Sequence, residues 1–200
     1  MNYNGPKVKL SRKIAIPMTP KASKVMQDKA YPPGQHGPTK RKGKMSDYGK
    51  QLLEKQRLRL QYNVAEKKLS NYFKEAAKST GNTGEILMQL LESRLDVLVL
   101  RAGFVRTMYA ARQVVSHGHI LVNGRKLDVS SYRVKVNDVI SIKSKSRTNE
   151  TLQESMRNNT PPAYLELNKA DFSVKYLYTP PMPEIPVKCE IPLVVEFYSR

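Results

Sequence analysis

From residue 46 onward, apolar residues recur at helical spacing in successive short stretches. Ser46 or Asp47 opens DYGKQLLEKQRLRLQ, in which Leu52, Leu53 and Leu60 mark a buried side and Lys50, Lys55, Arg57 and Arg59 take the other faces. Asn63 with Glu66 reads as a capping-box-like pair before a helix that buries Leu69, Tyr72, Phe73 and Ala76. The GNTG run ends it, and EILMQLLES follows as a strongly apolar core helix. Ser93 with Asp96 repeats the capping pattern before RLDVLVLRAGF, which Gly103 is placed to end. Thr107 can cap the next helix, MYAARQVVSH, which Gly118 stops.

The period then shortens to that of strands. Ile120, Leu121 and Val122 form one, Asn123-Gly124 a type I′ turn, and Arg125 to Leu127 the return. Two further strand patterns cover residues 132–136 and 139–143. Residues 146–162 read as a short polar helix in a connector. The segment from Tyr178 to Pro192 is proline-rich, with no role assigned to it, and LVVEFY at residues 193–198 reads as a strand that packs back on an earlier lobe. Ahead of all this, YPPGQHGPTKRKGK has almost no apolar periodicity, so residues 1–45 are expected to be extended or mobile until a polyanion orders them. The expected class is α+β. A helical lobe (46–91 plus 163–200) carries an extended basic arm (1–45) and a returning C-terminal strand. It holds an inserted module of two helices on a small antiparallel sheet (92–150), followed by a connector (151–162).

Charge changes the picture more than composition does. The formal net charge is +18 over 200 residues, which points to a polyanionic partner. It is concentrated: residues 1–62 carry +12 and residues 105–146 carry +6, while the rest is near neutral. No long apolar run favours a membrane. The single cysteine, Cys189, excludes an internal disulfide and a multi-cysteine zinc site and fits a reducing compartment. The basic N-terminus has no apolar signal core. His117 and His119 form only a lone HxH, which is poor grounds for a metal; His36 donates hydrogen bonds or is exposed. GNTGE lacks the Lys and Ser/Thr of a phosphate-binding loop, and Asp47, Glu85 and Asp96 read as first-turn caps, not as an acid/base pair. No enzyme and no cofactor are expected.

The candidate contacts follow from the charge. Arg106, Tyr109, Gln113 and His117 share a helix face, with Arg112 and His119 beside it and Ala110, Ala111, Val114 and Val115 on the buried side. Guanidinium forks suit phosphates, and Gln or His can reach 2′-hydroxyls or base edges. The same spacing also describes an ordinary solvated face; the hairpin residues Asn123, Arg125 and Lys126 nearby favour RNA. Arg94 opens the module. In the arm and first helix the candidates are Lys7, Lys9, Arg12, Lys13, Lys40, Arg41, Lys42, Lys44, Lys50, Lys55, Arg57 and Arg59. Tyr48 either stacks on a base or sugar or is buried at the helix start.

These motifs carry a resemblance. NYNGPKVKLSRK, PGQHGPTKRK, SDYGKQLLEKQRLR, KEAAKSTGNTGE, ESRLDVLVLRAGF, ARQVVSHGHILVNGR, VSSYRVKVNDVISI and VVEFYSR together make the chain similar, from end to end, to the bacterial-type ribosomal protein S-four family of the small subunit. The resemblance implies a two-lobed structural protein that binds the 5′ domain of 16S ribosomal RNA early in assembly. It implies a place near the mRNA channel beside small-subunit proteins five and three, a contribution to decoding accuracy, and mRNA as a further ligand of some members. It also implies a cytoplasmic 30S subunit, or the plastid stroma for an organelle version. Many members carry a zinc-binding cysteine cluster near the N-terminus; residues 14–31 hold no Cys here, which resembles the zinc-free branch. Met108 stands where relatives carry a basic residue, and Val97 where they often carry Asn.

Overall fold

A computed structural model describes residues 3, 5–39, 43–157 and 159–200. In chain order these form α1 (Lys7–Ile14), α2 (Pro20–Asp28), α3 (Asp47–Gln61), α4 (Glu66–Lys78), α5 (Thr83–Glu92), α6 (Leu95–Arg101) and α7 (Met108–Ser116). Then come β1 (Ile120–Val122), β2 (Arg125–Lys126), β3 (Val139–Ile142), α8 (Glu150–Arg157), β4 (Leu165–Asn168), β5 (Ser173–Tyr176) and α9 (Ile191–Ser199). The chain divides into two compact units, residues 1–84 with 187–200, and residues 85–186.

The first unit is helical. Ser46 caps α3, its hydroxyl accepting from the Gly49 N–H at 3.2 Å. The segment expected to be an extended arm holds two helices among its described residues, α1 and α2. Thr19 caps α2 through the Ala22 N–H, with Pro20 in the first turn, where its missing N–H costs nothing. Ile14 and Ile16 are buried with Leu60 of α3 in a small core, and Arg57 donates to the Ile14 carbonyl at 3.0 Å. Leu10 and Met18 pack against the same cluster, which docks α1.

Residues 193–198 belong to a helix, α9, and not to a strand. Their β-branched run favours a strand by propensity, but a lone strand would leave its backbone unpaired, whereas a helix satisfies itself. Pro192 sits in its first turn, and Ile191 and Val194 face inward at helical spacing. The helix is fixed on α3 by Gln51 to Glu196 at 2.9 Å and by the Glu190 N–H to Glu54 at 3.0 Å. Tyr198 stacks on Phe73 of α4 with centroids 5.0 Å apart. Asn63 is not a cap: it takes a left-handed φ of 48° at the turn, and Ala65 precedes α4 without a side-chain cap.

The second unit is α+β. Its antiparallel sheet runs β2-β1-β3-β5-β4, with α6, α7 and α8 supplying Leu95, Leu98, Val99, Ala111, Val115, Leu152 and Met156 to a core shared with Ile120, Ile140, Ile142, Val174 and Tyr176. Residues 163–186 therefore belong here and not to the helical lobe, because β5 pairs directly with β3. Residues 151–157 likewise give two core side chains, Leu152 and Met156, and are more than a connector. Residues 132–136 form only an isolated bridge, Arg94 to Arg133. Their backbone is spent on the start of α6 instead, where the Leu95 N–H meets the Tyr132 carbonyl at 2.9 Å and the Val134 N–H meets that of Ser93 at 2.8 Å.

Candidate nucleic-acid interface

Local signals set the candidate face of the second unit. Thr107 accepts from the Ala110 N–H at 3.2 Å and starts α7; Ala111 and Val115 pin the helix to the core, leaving Arg106, Gln113 and His117 exposed. Gly118 then turns the chain with φ +71°, and a Cβ there would lie 2.2 Å from Lys126 Cε. The bare glycine thus lets the Lys126 stem cross the end of α7. Asn123 and Gly124 both have positive φ, as the I′ turn requires. Asn123 is spent on that turn: its Oδ1 accepts from the Val139 N–H at 2.9 Å and its Nδ2 donates to Asp138 at 2.8 Å. His119 Nδ1 lies 2.9 Å from Ser146 Oγ, and the Lys143 N–H donates to the His119 carbonyl at 2.9 Å. The exposed side chains of Lys143 and Lys145 follow directly. Sequence reasoning passed over these two; the IKSK run ending β3 was their signal.

Two predicted contacts are structural. Asp96 is completely buried and is no cap. Arg94 grips it with Nη2 at 2.6 Å and Nε at 3.0 Å, and Arg112 reaches it at 2.8 Å. Arg94, 2% exposed, has no surface to offer RNA; Arg112 keeps an edge in solvent while serving the same carboxylate. Glu92, also fully buried, takes Arg101 at 2.7 Å and the Tyr164 hydroxyl at 3.1 Å. Burial, then the Glu92 charge, pushes the Tyr164 phenol up, keeping it a donor. Met108 and Val97 are both core residues here.

In the first unit, Lys9, Lys13, Lys44 and Lys50 are exposed, Lys50 pairing with Asp47 at 2.9 Å. Tyr48 is 52% exposed, so it is not buried at the helix start, and its ring lies 5.8 Å from that of Phe197. Arg12 donates to the Tyr31 and Pro32 carbonyls and sits 4.8 Å from the Tyr31 ring; Lys7 lies 5.7 Å from that of Tyr3. Lys55 is buried, bonded to Glu66 at 3.0 Å and 4.5 Å from the Phe197 ring. Arg57 pairs with Glu54, and Arg59 with Gln56 and Glu66. The buried side of α3 accordingly includes Gln51, Glu54 and Lys55, whereas Leu52 and Leu53 are half-exposed. Burial works against the charge on Glu66, but hydrogen bonds from Lys55 and Tyr198 hold its carboxyl below the usual range. Lys40, Arg41 and Lys42 lie outside the described residues.

Each unit therefore offers exposed cations, of which Lys50 and Arg106 pair with exposed carboxylates, over a floor in which buried carboxylates are already neutralised. Residues 2–92 match the Ribosomal protein S4/S9 N-terminal domain, and residues 93–140 match the S4 domain. The small ribosomal subunit protein uS4 of Persephonella marina is 46% identical over 202 residues, 98% of each chain. That of Streptomyces avermitilis is 46% identical over 204 residues, covering 100% of this chain and 99% of its own. That of a Geobacillus species is 47% identical over 199 residues, 99% and 98% respectively. The chain belongs to the uS4 family. It is a constituent of the small ribosomal subunit carrying an RNA-binding S4 domain, in a family of structural proteins not known as enzymes. Among the described residues, no group of three His, Cys, Asp or Glu could hold a metal ion, and no helix is long and apolar enough to cross a membrane.

Proposed function

We propose that the protein is a primary binder of the 5′ domain of 16S ribosomal RNA, joining the small subunit early in its assembly. The observation that carries this is the exposure of Arg106 before α7, of Gln113 on it, and of His117, Arg125, Lys126 and Lys143 after it. The two carboxylates of the adjoining helices, Asp96 and Glu92, are buried and already paired. Arg106 shares its charge with the exposed Glu154 at 2.6 Å, and the potential of the set stays positive. The cations neutralise phosphates, and the Gln and His groups reach 2′-hydroxyls or base edges. The exposed lysines of the first unit form a second contact surface, and a chain that holds one RNA at two surfaces gains effective concentration. Small-subunit proteins five and three are its neighbours near the opening of the mRNA channel. There it contributes to decoding accuracy, with mRNA as a further ligand, in the bacterial cytoplasm or the plastid stroma.

The test is to add the purified protein to 16S RNA carrying no other ribosomal protein and to map backbone protection. Protection confined to a junction of the 5′ domain is expected. Protection that requires other proteins to be bound first overturns a primary role.

A further inference from the structure

A cavity of about 260 Å³ lies between α8 and the β4–β5 turn, lined by Gln153, Met156, Arg157, Lys169 and Phe172. It falls outside the residues that match either family domain, and nothing in the surfaces described above uses it. Its walls are unlike the rest of the second unit: one aromatic ring, one thioether, one amide and two exposed cations.

The aromatic wall is held at a conformational cost. Phe172 has φ +52°, a left-handed backbone that a bulky side chain rarely takes. The turn enforces it. Asn168 Oδ1 accepts from the N–H groups of Ala170 and Asp171 at 3.0 and 3.2 Å, and the Phe172 carbonyl accepts from the Ile142 N–H at 3.0 Å. The Arg147 guanidinium carbon lies 5.7 Å from the ring centroid, and Gln153 donates to the Arg147 carbonyl at 2.8 Å, tying α8 to the same corner. Of the nearby carboxylates, Asp171 is engaged by Asn168 Nδ2 at 2.6 Å and Glu154 by Arg106 at 2.6 Å. A strained backbone fixed from several sides, presenting a ring beside cations, is the sort of outlier found at ligand clamps.

We propose that this cavity holds one unpaired RNA nucleotide, its base against Phe172 and its phosphate at Arg157 and Lys169. Single-stranded RNA is bound by this pairing of a stacking ring with a basic rim, and the volume fits one base with its sugar and not a duplex. An acidic peptide would use the cations but leave the ring without a stacking partner. The inference rests on the RNA-binding reading above and adds a site to it.

The test uses the full chain with three probes: the 5′-domain transcript carrying 4-thiouridine, a hexauridine and a hexaglutamate peptide. Phe172→Leu keeps volume and removes stacking; Phe172→Tyr keeps the ring. Hexauridine affinity should fall on the order of 10-fold in the Leu variant and stay near wild type in the Tyr variant. The thiouridine crosslink should map to residues 168–173 and vanish with Phe172→Leu. Equal hexauridine affinity in wild type and Leu variant, a crosslink absent from 168–173 while the transcript is bound, or tighter capture of hexaglutamate each overturns the pocket alone. Hexauridine binding that falls with Phe172→Leu, without any binding of the transcript, would leave the pocket standing and remove the 5′-domain reading.

Discussion

Replacing Asp96 with alanine should destabilise the second unit by about 3–5 kcal/mol. Asp96 is fully buried, and Arg94, almost equally buried, holds it through two hydrogen bonds at 2.6 and 3.0 Å. Removing the carboxylate takes the buried counter-ion from the Arg94 guanidinium, and breaking a buried ion pair from one side typically costs about that much. Arg112 adds less, since its side chain is 11% exposed and can turn toward water. Arg112→Ala should thus cost only about 1–3 kcal/mol, Asp96 keeping its tighter partner. The assay is amide hydrogen exchange of α6 and α7 in the full chain. At about 1.4 kcal/mol per tenfold, Asp96→Ala should lower protection by roughly two to three and a half orders of magnitude. A loss under about 1 kcal/mol would show that the triad is solvated in solution, and the assignment of Arg94 to structure instead of RNA would fall with it.

Arg106→Ala should weaken binding to 5′-domain RNA by about 1–3 kcal/mol while moving thermal stability by less than about 0.5 kcal/mol, because its pair with Glu154 is exposed on both sides; an unchanged Kd removes Arg106 from the interface. Gly118→Ala should cost about 1–2 kcal/mol through its φ of +71° and should displace Lys126, so thermal unfolding and RNA affinity should both fall; an unaltered Tm contradicts this. Leu58→Ala, at a site with no exposure, should cost about 2–5 kcal/mol in the first unit, read by exchange of α3 and α9. Glu66 is held below its ordinary value of 4.5, so its contribution is present above that pH and is lost as pH falls through the lower folded value. Burial and the Glu66 hydrogen bond raise the Tyr198 phenol above 10.0, so its contribution is intact below that pH and is lost above it. Glu66→Gln should flatten the acid limb of the first unit's stability profile; an unchanged limb assigns it to other carboxylates.

The part of the fold written in local chemistry was readable from the chain. Thr107, Gly118 and Asn123-Gly124 each impose a backbone geometry through their own side chains or lack of one, so α7 and the hairpin follow from residue types alone. What depended on distant partners was not readable. The β-branched run at 193–198 becomes a helix because α3 offers it a face, and no sheet lies among the described residues of its unit. Asp96 looks like a cap until Arg112, a helix away, closes on it. Glu66 looks like half of a capping box, yet its partners are Lys55 and Tyr198, the latter 132 residues along the chain. The basic character of residues 1–45 hid Ile14 and Ile16, whose burial needs Leu60. The same limit shaped the candidate site. Exposed cations such as Arg125 and Lys126 were identifiable by charge, whereas Arg94 and Lys55 carry the same charge and spend it inside.

The most direct test of RNA recognition is the affinity of the full chain for a 16S 5′-domain transcript and for an unrelated folded RNA of equal length, from about 50 to 200 mM salt. Charge neutralisation alone predicts a fall of about three to five orders of magnitude for six to ten phosphates on the duplex-DNA scale. Recognition predicts in addition that the 5′-domain transcript keeps a large preference at the upper salt concentration. Equal binding to both RNAs across the series would contradict it and leave only a polycation.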